Sequence, residues 1–347
     1  MGDFGGWQMP LEYPTGVVAE HTAVRTAAGV FDVSHMGTLL VRGPGAVESL
    51  NLVLANDLAR IRVGRAQYTM LCAPDGGVID DLIGYWLAGD ELLLVPNAAN
   101  AATVRDTLRA ALPAGVELVD RHGELGILAI QGPESTAVVT DLGLLSAPLD
   151  YMAVAPTTVG GRPALLCRTG YTGELGYEVI AEAAALPSLW DRATARATPC
   201  GLGARDTLRT EMGYPLHGQD ISRTISPVEA GLSWAVGWSK PTFTGREALL
   251  AQRGAGRSRA LRGLRVSGRG IPRPGMAVLA TDGTTMGVTT SGTFSPTLRT
   301  GIALALVDPA HEVGAEVAID VRGRSVPAFL AQVPFVDRSP RQGAGPS

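Results

Sequence analysis

The sequence predicts an α+β protein that ends in an all-β unit, on three observations. Its 347 residues exceed the usual size of one domain, so two or three units with their own cores are expected. Strand-like and helix-like periods alternate over the first two-thirds of the chain. After Arg259 only short strand-like runs remain, separated by Gly, Pro, Asp and Thr.

Taken in order, residues 15–29 carry small and apolar residues at helical spacing and end on Gly29, a suitable C-cap. Residues 31–43 alternate as a strand, and residues 44–58 put Val47, Leu50, Val53 and Leu54 on one helical face. VIDDLIGYWLA (78–88) and ELLLVP (91–96) flank a turn and predict a hairpin, followed by a helix over 100–112 with Val104, Leu108 and Leu112 in line. Strands are expected at 125–131, 163–169 and 176–182, and helices at 134–143 and 186–197. A further helix opens in GLGARDTLRTEMG from residue 201. The arginine-rich stretch 253–263 reads as a linker, and 337–347 as a disordered tail.

Bulk composition removes several function classes. With 46% apolar and 18% charged residues the chain is of ordinary globular type, and a net charge of −4 offers no field for a phosphate backbone, so no nucleic-acid partner is expected. Cys72, Cys167 and Cys200 form no C-x-x-C pair and sit near no histidine cluster, so neither zinc nor a disulfide framework is expected. No basic segment precedes an apolar run at the N-terminus and no stretch is long enough for a membrane span, which predicts a cytoplasmic protein. Gly6 stands where a myristoylation signal needs Ser or Thr.

Strand alternation in GGVIDDLIGY puts Ile79, Asp81, Ile83 and Tyr85 on one face and Asp80, Leu82 and Gly84 on the other. A carboxylate among such neighbours has a dedicated partner or a raised pKa, which suits a proton acceptor near neutrality. The alternative, slightly favoured by spacing alone, is a strand end whose aspartates satisfy turn amides. RTGYTGELGYE (168–178) completes neither phosphate-loop pattern. It reads as an ordinary turn or as a glycine hairpin that lets a flat ligand near the backbone, with Glu178 and Ile180 facing one way and Tyr177 and Val179 the other. On the helix after Gly201, Arg205 and Arg209 lie four apart and Asp206 can pair with Arg209, a solvated face or a carboxylate-binding one. His35 and His217 are lone histidines with structural roles the commoner outcome. The seven arginines between 253 and 273 read as a solvated linker, or less commonly as a site for an acidic partner or polyanionic tail.

Joined in order, FGGWQMPLEY, AGVFDVSHMG, QYTMLC with GGVIDDLIGY, VPNAAN, RTGYTGELGYE, GLGARDTLR, PVEAGLSWAV and TFSPTLRTGIALALV resemble the glycine-cleavage T-protein, or aminomethyltransferase, family over residues 4 to about 307. The resemblance implies three domains around a central folate channel: residues 1–39 with 122–221, a ferredoxin-like unit of 40–121 with 222–258, and a β-barrel over 259–336. It implies transfer of an aminomethyl group from the lipoyl arm of H-protein, in a system coupled to P-protein, to tetrahydrofolate with release of ammonia. The resemblance gives no metal a role. Carried over by motif, the catalytic aspartate falls on Asp81, pterin contacts on Glu178 and Asn97, and other channel positions on Arg205, Tyr68, Tyr85, Tyr171 and Met36. Two departures stand out. The chain starts at Gly2-Asp3-Phe4 without the helical segment that usually precedes this motif, and PFVDRSPRQ lacks the family's aromatic or paired basic residues, leaving Arg338 and Arg341 as substitutes. A sister demethylase using a small methylated donor shares the folate channel and Asp81. A folate-binding iron-sulfur assembly factor would need a K-G-C-Y type motif, and YPLHGQDI stands there instead.

Overall fold

The computed structural model describes residues 1–341. Two antiparallel-rich sheets and a closed barrel organise the chain. The first sheet runs in the order Val154–Val159, Arg162–Cys167, Gly176–Glu182, Leu125–Gln131, Gly29–Asp32, Thr198–Pro199, with only the last pair parallel. The second runs Arg65–Cys72, Val78–Ala88, Glu91–Pro96, Leu39–Arg42, Glu117–Asp120. Six strands between Ala260 and Ala331 close the barrel, as expected of an all-β end.

The alternating side chains decide how these layers stack. On one face of the first sheet Leu128, Ile130, Tyr177 and Val179 pack with Val139 and Leu189 of helices Ser135–Asp141 and Leu186–Thr194. From the other face Phe31, Ile127, Ala129 and Ile180 meet Ala66, Tyr85, Leu93 and Val95 of the second sheet. The far face of that second sheet is covered by Leu50 and Val47 of helix Ala46–Asn51 and by Val104 and Leu108 of helix Ala101–Ala111. The shared core between the sheets is what brings Glu178 opposite Tyr85.

Several boundaries differ from expectation for local reasons. The strand expected over 31–43 is two strands in different sheets, Gly29–Asp32 and Leu39–Arg42, and residues 33–38 cross between them. Gly29 opens the first of these instead of capping helix Val17–Thr26, whose C-cap is Ala27. The helix expected over 44–58 stops at Asn51, where Asn51 and Asn56 turn their amides to the backbone: Asn51 Oδ1 accepts from Leu58 N at 2.8 Å and Asn56 Nδ2 donates to Tyr68 O at 2.8 Å. Helix Arg246–Ala255 takes up the start of the expected linker, and strand Ala260–Val266 its end. Of the tail expected to be disordered from Asp337, residues to Arg341 pack on the body: Arg168 Nη2 donates to Pro340 O at 3.1 Å, and Arg338 reaches Glu174 at 3.5 Å. Residues 342–347 of that expectation lie outside the described ones. Among the described residues no helix is long and apolar enough to cross a membrane.

Candidate active site

The turn Asp75–Gly77 that launches strand Val78–Ala88 can be built only with glycine at 77, because a Cβ there would lie 1.9 Å from the Arg223 carbonyl oxygen. That close approach lets Val78 N donate to Ser222 O at 2.8 Å and fixes the strand on which both aspartates stand. Beyond the aspartates alternation holds: Ile83 and Tyr85 join the core between the sheets, while Leu82 and Trp86 join the core beneath. Ile79 departs from it. The ladder with strand Arg65–Cys72 shifts register between Leu71 and Cys72 and passes over Ile79, which therefore packs on the Leu82 side.

Asp80 and Asp81 share one amide. Asn97 Nδ2 lies 2.9 Å from both Asp80 Oδ1 and Asp81 Oδ1, and its backbone N–H donates to Asp80 Oδ2 at 2.9 Å. Asp80 is fully buried and takes a further bond from Asn100 Nδ2 at 2.6 Å. Asn100 Nδ2 also meets His217 Nδ1 at 2.9 Å, while His217 Nε2 lies 3.1 Å from Val78 O. Since a carbonyl only accepts, the proton belongs on Nε2 and Nδ1 accepts from Asn100. His217 is thus a structural brace, the commoner outcome for a lone histidine.

Asp81, partly exposed, accepts instead from the Tyr68 hydroxyl at 3.0 Å. Tyr68 stacks on Trp234 with ring centroids 5.6 Å apart, and Trp234 is 64% exposed, a wall of aromatic surface beside the carboxylate. Burial raises the pKa of both aspartates above the carboxylate range. For Asp80 the neighbouring Asp81 charge adds to the rise, and the amide bonds from Asn100 and Asn97 oppose it. For Asp81 the Tyr68 bond, His217 and Asn97 oppose it. Burial next to Asp81 pushes the Tyr68 phenol well above its ordinary value, so it stays a donor.

Glu178 comes from the facing sheet. Its Oε2 accepts from Thr169 Oγ1 at 2.5 Å and from Tyr85 O–H at 3.1 Å, which leaves the other oxygen for a donor outside the chain. The Tyr85 phenol is held protonated by burial and by the Glu178 charge. Arg205, on helix Leu202–Glu211, lies 4.8 Å over the Tyr171 ring, and among the described residues no carboxylate forms a salt bridge with it. Burial lowers its pKa from the ordinary arginine value, while Tyr171 and Glu178 act to raise it. Tyr171 O–H donates to Pro215 O at 2.5 Å. Arg209, four residues on, turns inward with its pairs already made, to Asp206 at 2.7 Å and Asp220 at 2.8 Å. Met36 packs with the core between the sheets, beside Ile83 and Tyr85, and touches neither aspartate through a hydrogen bond.

The glycines of RTGYTGELGYE serve the chain itself. A Cβ at Gly170 or Gly176 would collide with the Gln131 side chain at 2.0 and 2.3 Å, and Gln131 takes a 2.9 Å bond from Thr172 Oγ1. His35 is buried, with Nδ1 unpartnered among the described residues, and burial, Arg205 and His122 lower its pKa to about 3, so it is a neutral core ring. Sequence reasoning missed Thr169, Asn100 and Trp234; only the neighbourhood of Asn100 to Asn97 was a signal. The three cysteines are buried and free, and no group of three or more metal-ligating side chains occurs among the described residues.

Comparison with known proteins finds relatives over nearly the whole chain. The GCVT N-terminal domain family matches residues 1–240, and the glycine cleavage T-protein C-terminal barrel domain family matches residues 259–337. An aminomethyltransferase of Parafrankia sp. (strain EAN1pec) is 56% identical over 97% of this chain and 94% of its own. One from Mycobacterium tuberculosis is 54% identical, over 96% and 92%. The crystal structure of the glycine cleavage system aminomethyltransferase T from Bartonella henselae superposes with a TM-score of 0.92 at 36% identity, covering 97% of this chain and 94% of that one. The chain belongs to the glycine-cleavage T-protein family, the aminomethyltransferases.

Proposed function

We propose that the protein transfers the one-carbon unit of S-aminomethyl-dihydrolipoyl H-protein to tetrahydrofolate, in a cytoplasmic system that also includes P-protein. The observation that carries this reading is Asp81: a carboxylate with raised pKa, aimed by Tyr68 and Asn97. In the reaction the carbon ends bonded to two folate nitrogens, its bonds to sulfur and to the amine nitrogen break, and dihydrolipoyl thiol and ammonia leave. The folate nitrogens give up protons in doing so, and ionised Asp81 is placed to accept one. Glu178 has a free oxygen to accept from the donor edge of a pterin, and the unpaired Arg205 fork suits a carbonyl or carboxylate of the ligand. Tyr85, Tyr171 and Met36 then line the cofactor's site, which needs no metal. The units that enclose it are residues 1–39 with 122–221, 40–121 with 222–258, and the barrel 259–336. Relatives named aminomethyltransferase over nearly the whole chain favour this reading over a small-donor demethylase or an assembly factor.

A ligand that binds only the folded protein raises its stability, by about 2.7 kcal/mol at 100 times the dissociation constant. Thermal melts with tetrahydrofolate should therefore shift upward. Glu178→Gln and Arg205→Ala should shift less at the same folate concentration, because each loses its bond to the ligand. No shift in the wild type would remove folate from the account, and unchanged affinity in both variants would remove these two residues from its site.

A further inference from the structure

The Asp81 carboxylate stands at the end of a chain of hydrogen bonds that begins outside its own sheet. Val78, two residues before Asp80, lies where the ladder with strand Arg65–Cys72 slips register. Both of its backbone groups are taken by the loop 214–222. Its N–H donates to Ser222 O at 2.8 Å, and its carbonyl accepts from His217 Nε2 at 3.1 Å. The loop is anchored in turn by Asp220, fully buried, which accepts from Arg209 Nη1 at 2.8 Å, from Leu216 N at 2.9 Å and from Ser291 Oγ of the barrel at 2.7 Å.

The tautomer that Val78 imposes on His217 decides the orientation of each group that follows. With the proton on Nε2, Nδ1 offers a lone pair, and only the NH2 end of the Asn100 amide satisfies it, at 2.9 Å. Asn100 Nδ2 then has one hydrogen left, and Asp80 Oδ1 takes it at 2.6 Å. The reversed amide would set its oxygen against two acceptors. Asp80, held by this bond, fixes Asn97 through Oδ1 and Oδ2 at 2.9 Å each, and Asn97 Nδ2 reaches Asp81 Oδ1 at 2.9 Å. Apart from the Tyr68 hydroxyl on Oδ2, Asn97 is the only side chain among the described residues that donates to the Asp81 carboxylate. The imidazole makes no bond to Asp81 itself, so its influence has to travel through the chain.

We propose that His217 is a positioning residue for the transfer: through Asn100, Asp80 and Asn97 it sets the direction in which the Asp81 carboxylate meets its proton. The proposal rests on the reaction read above, in which Asp81 is the acceptor. A histidine that served only to hold the loop would support stability and leave turnover alone. Asp80→Asn keeps an oxygen between Asn100 and Asn97, so the chain stays joined in that variant.

His217→Leu, Asn100→Ala and His217→Asn are assayed for transfer between H-protein and tetrahydrofolate, alone and in the Asp81→Asn background, with thermal melts and folate titrations alongside. His217→Leu fills the space without the lone pair and should lower kcat about tenfold, the scale of a misplaced reacting group, at unchanged affinity for tetrahydrofolate. Asn100→Ala breaks the next link and should lose as much; it carries the test alone if His217→Leu does not fold. His217→Asn keeps an acceptor near the position of Nδ1 and should recover most of kcat. In Asp81→Asn, which has no proton acceptor to aim, adding His217→Leu should cost nothing further. Wild-type kcat in folded His217→Leu or in Asn100→Ala overturns the proposal, even where the melting temperature falls. A loss that His217→Asn does not reverse, one that appears only as weaker folate binding, or one that persists in full without Asp81 overturns it too. Asp81→Asn turning over at the wild-type rate sinks the reaction reading underneath instead.

Discussion

Asp81→Asn should fold, bind tetrahydrofolate and lose turnover by about 100-fold or more, the scale expected when a general base is removed. The amide keeps the shape and can still accept from Tyr68, but it cannot take up a proton. Asp80→Asn should reduce turnover far less, because Asp80 faces Asn97 and Asn100 and is closed off from ligand. Its cost falls on stability: one carboxamide oxygen replaces two carboxylate oxygens that accept three bonds, and an unsatisfied buried donor costs about 1–3 kcal/mol. The pH profile separates the two further. Asp81 must be ionised to act and its pKa is raised, so activity should fall on the acid side at a pH above the ordinary carboxylate range. Asp80→Asn should keep this acid limb, because the carboxyl that has to ionise is still present. The sign for stability is the reverse of activity. A carboxyl whose folded pKa lies above its unfolded one contributes stability that is full below the unfolded value and lost as pH rises through the folded one. Equal kcat losses in the two variants would show that the faces of the strand are misassigned.

Glu211→Ala should destabilise the protein by about 3–5 kcal/mol, the scale for breaking a buried ion pair, with Arg25 left to Glu174 alone at 3.0 Å. Fully buried Glu211 accepts from Arg25 Nε and Nη2 at 3.1 and 2.8 Å, lies 3.4 Å from His21 Nε2, and takes bonds from Ser295 Oγ, Thr297 N and Thr297 Oγ1 at 2.5, 3.2 and 3.0 Å. One carboxylate thereby ties helix Val17–Thr26 to the end of the barrel strand Thr285–Ser295. Burial alone would raise its pKa. His21, Arg25 and Ser295 outweigh that and hold it at about 2. A depressed carboxyl contributes stability that is present above its unfolded value and lost as pH falls through the folded one, here toward pH 2. Urea unfolding at neutral pH checks the magnitude. A loss below about 1 kcal/mol would mean that the network is not holding the barrel in place.

Much of this was legible in the sequence where one physical rule acts alone. Alternation placed Ile83 and Tyr85 together and Glu178 opposite Val179, and the absence of helical periods after Arg259 announced the barrel. Where two rules compete, the reading failed. Residues 31–43 keep a strand-like pattern through a crossing between sheets, since both strands it joins are buried. Val53 and Leu54 are buried as a helical face requires, yet side-chain amides of Asn51 and Asn56 end the helix before them. The Trp234 stack on Tyr68 depends on segments far apart in the chain. No local pattern carries such a meeting. Gly170 and Gly176 carried a true signal of close approach, but the approaching group is Gln131.

The most direct test runs the reaction backward, supplying methylene-tetrahydrofolate, ammonia and H-protein with its lipoyl arm reduced, and reads the lipoyl group by mass spectrometry. An aminomethyl adduct on the arm, formed with the wild type and at least about 100-fold more slowly with Asp81→Asn, is the predicted result. No adduct with the organism's own H-protein, together with methylation of folate from a small methylated donor, would contradict it.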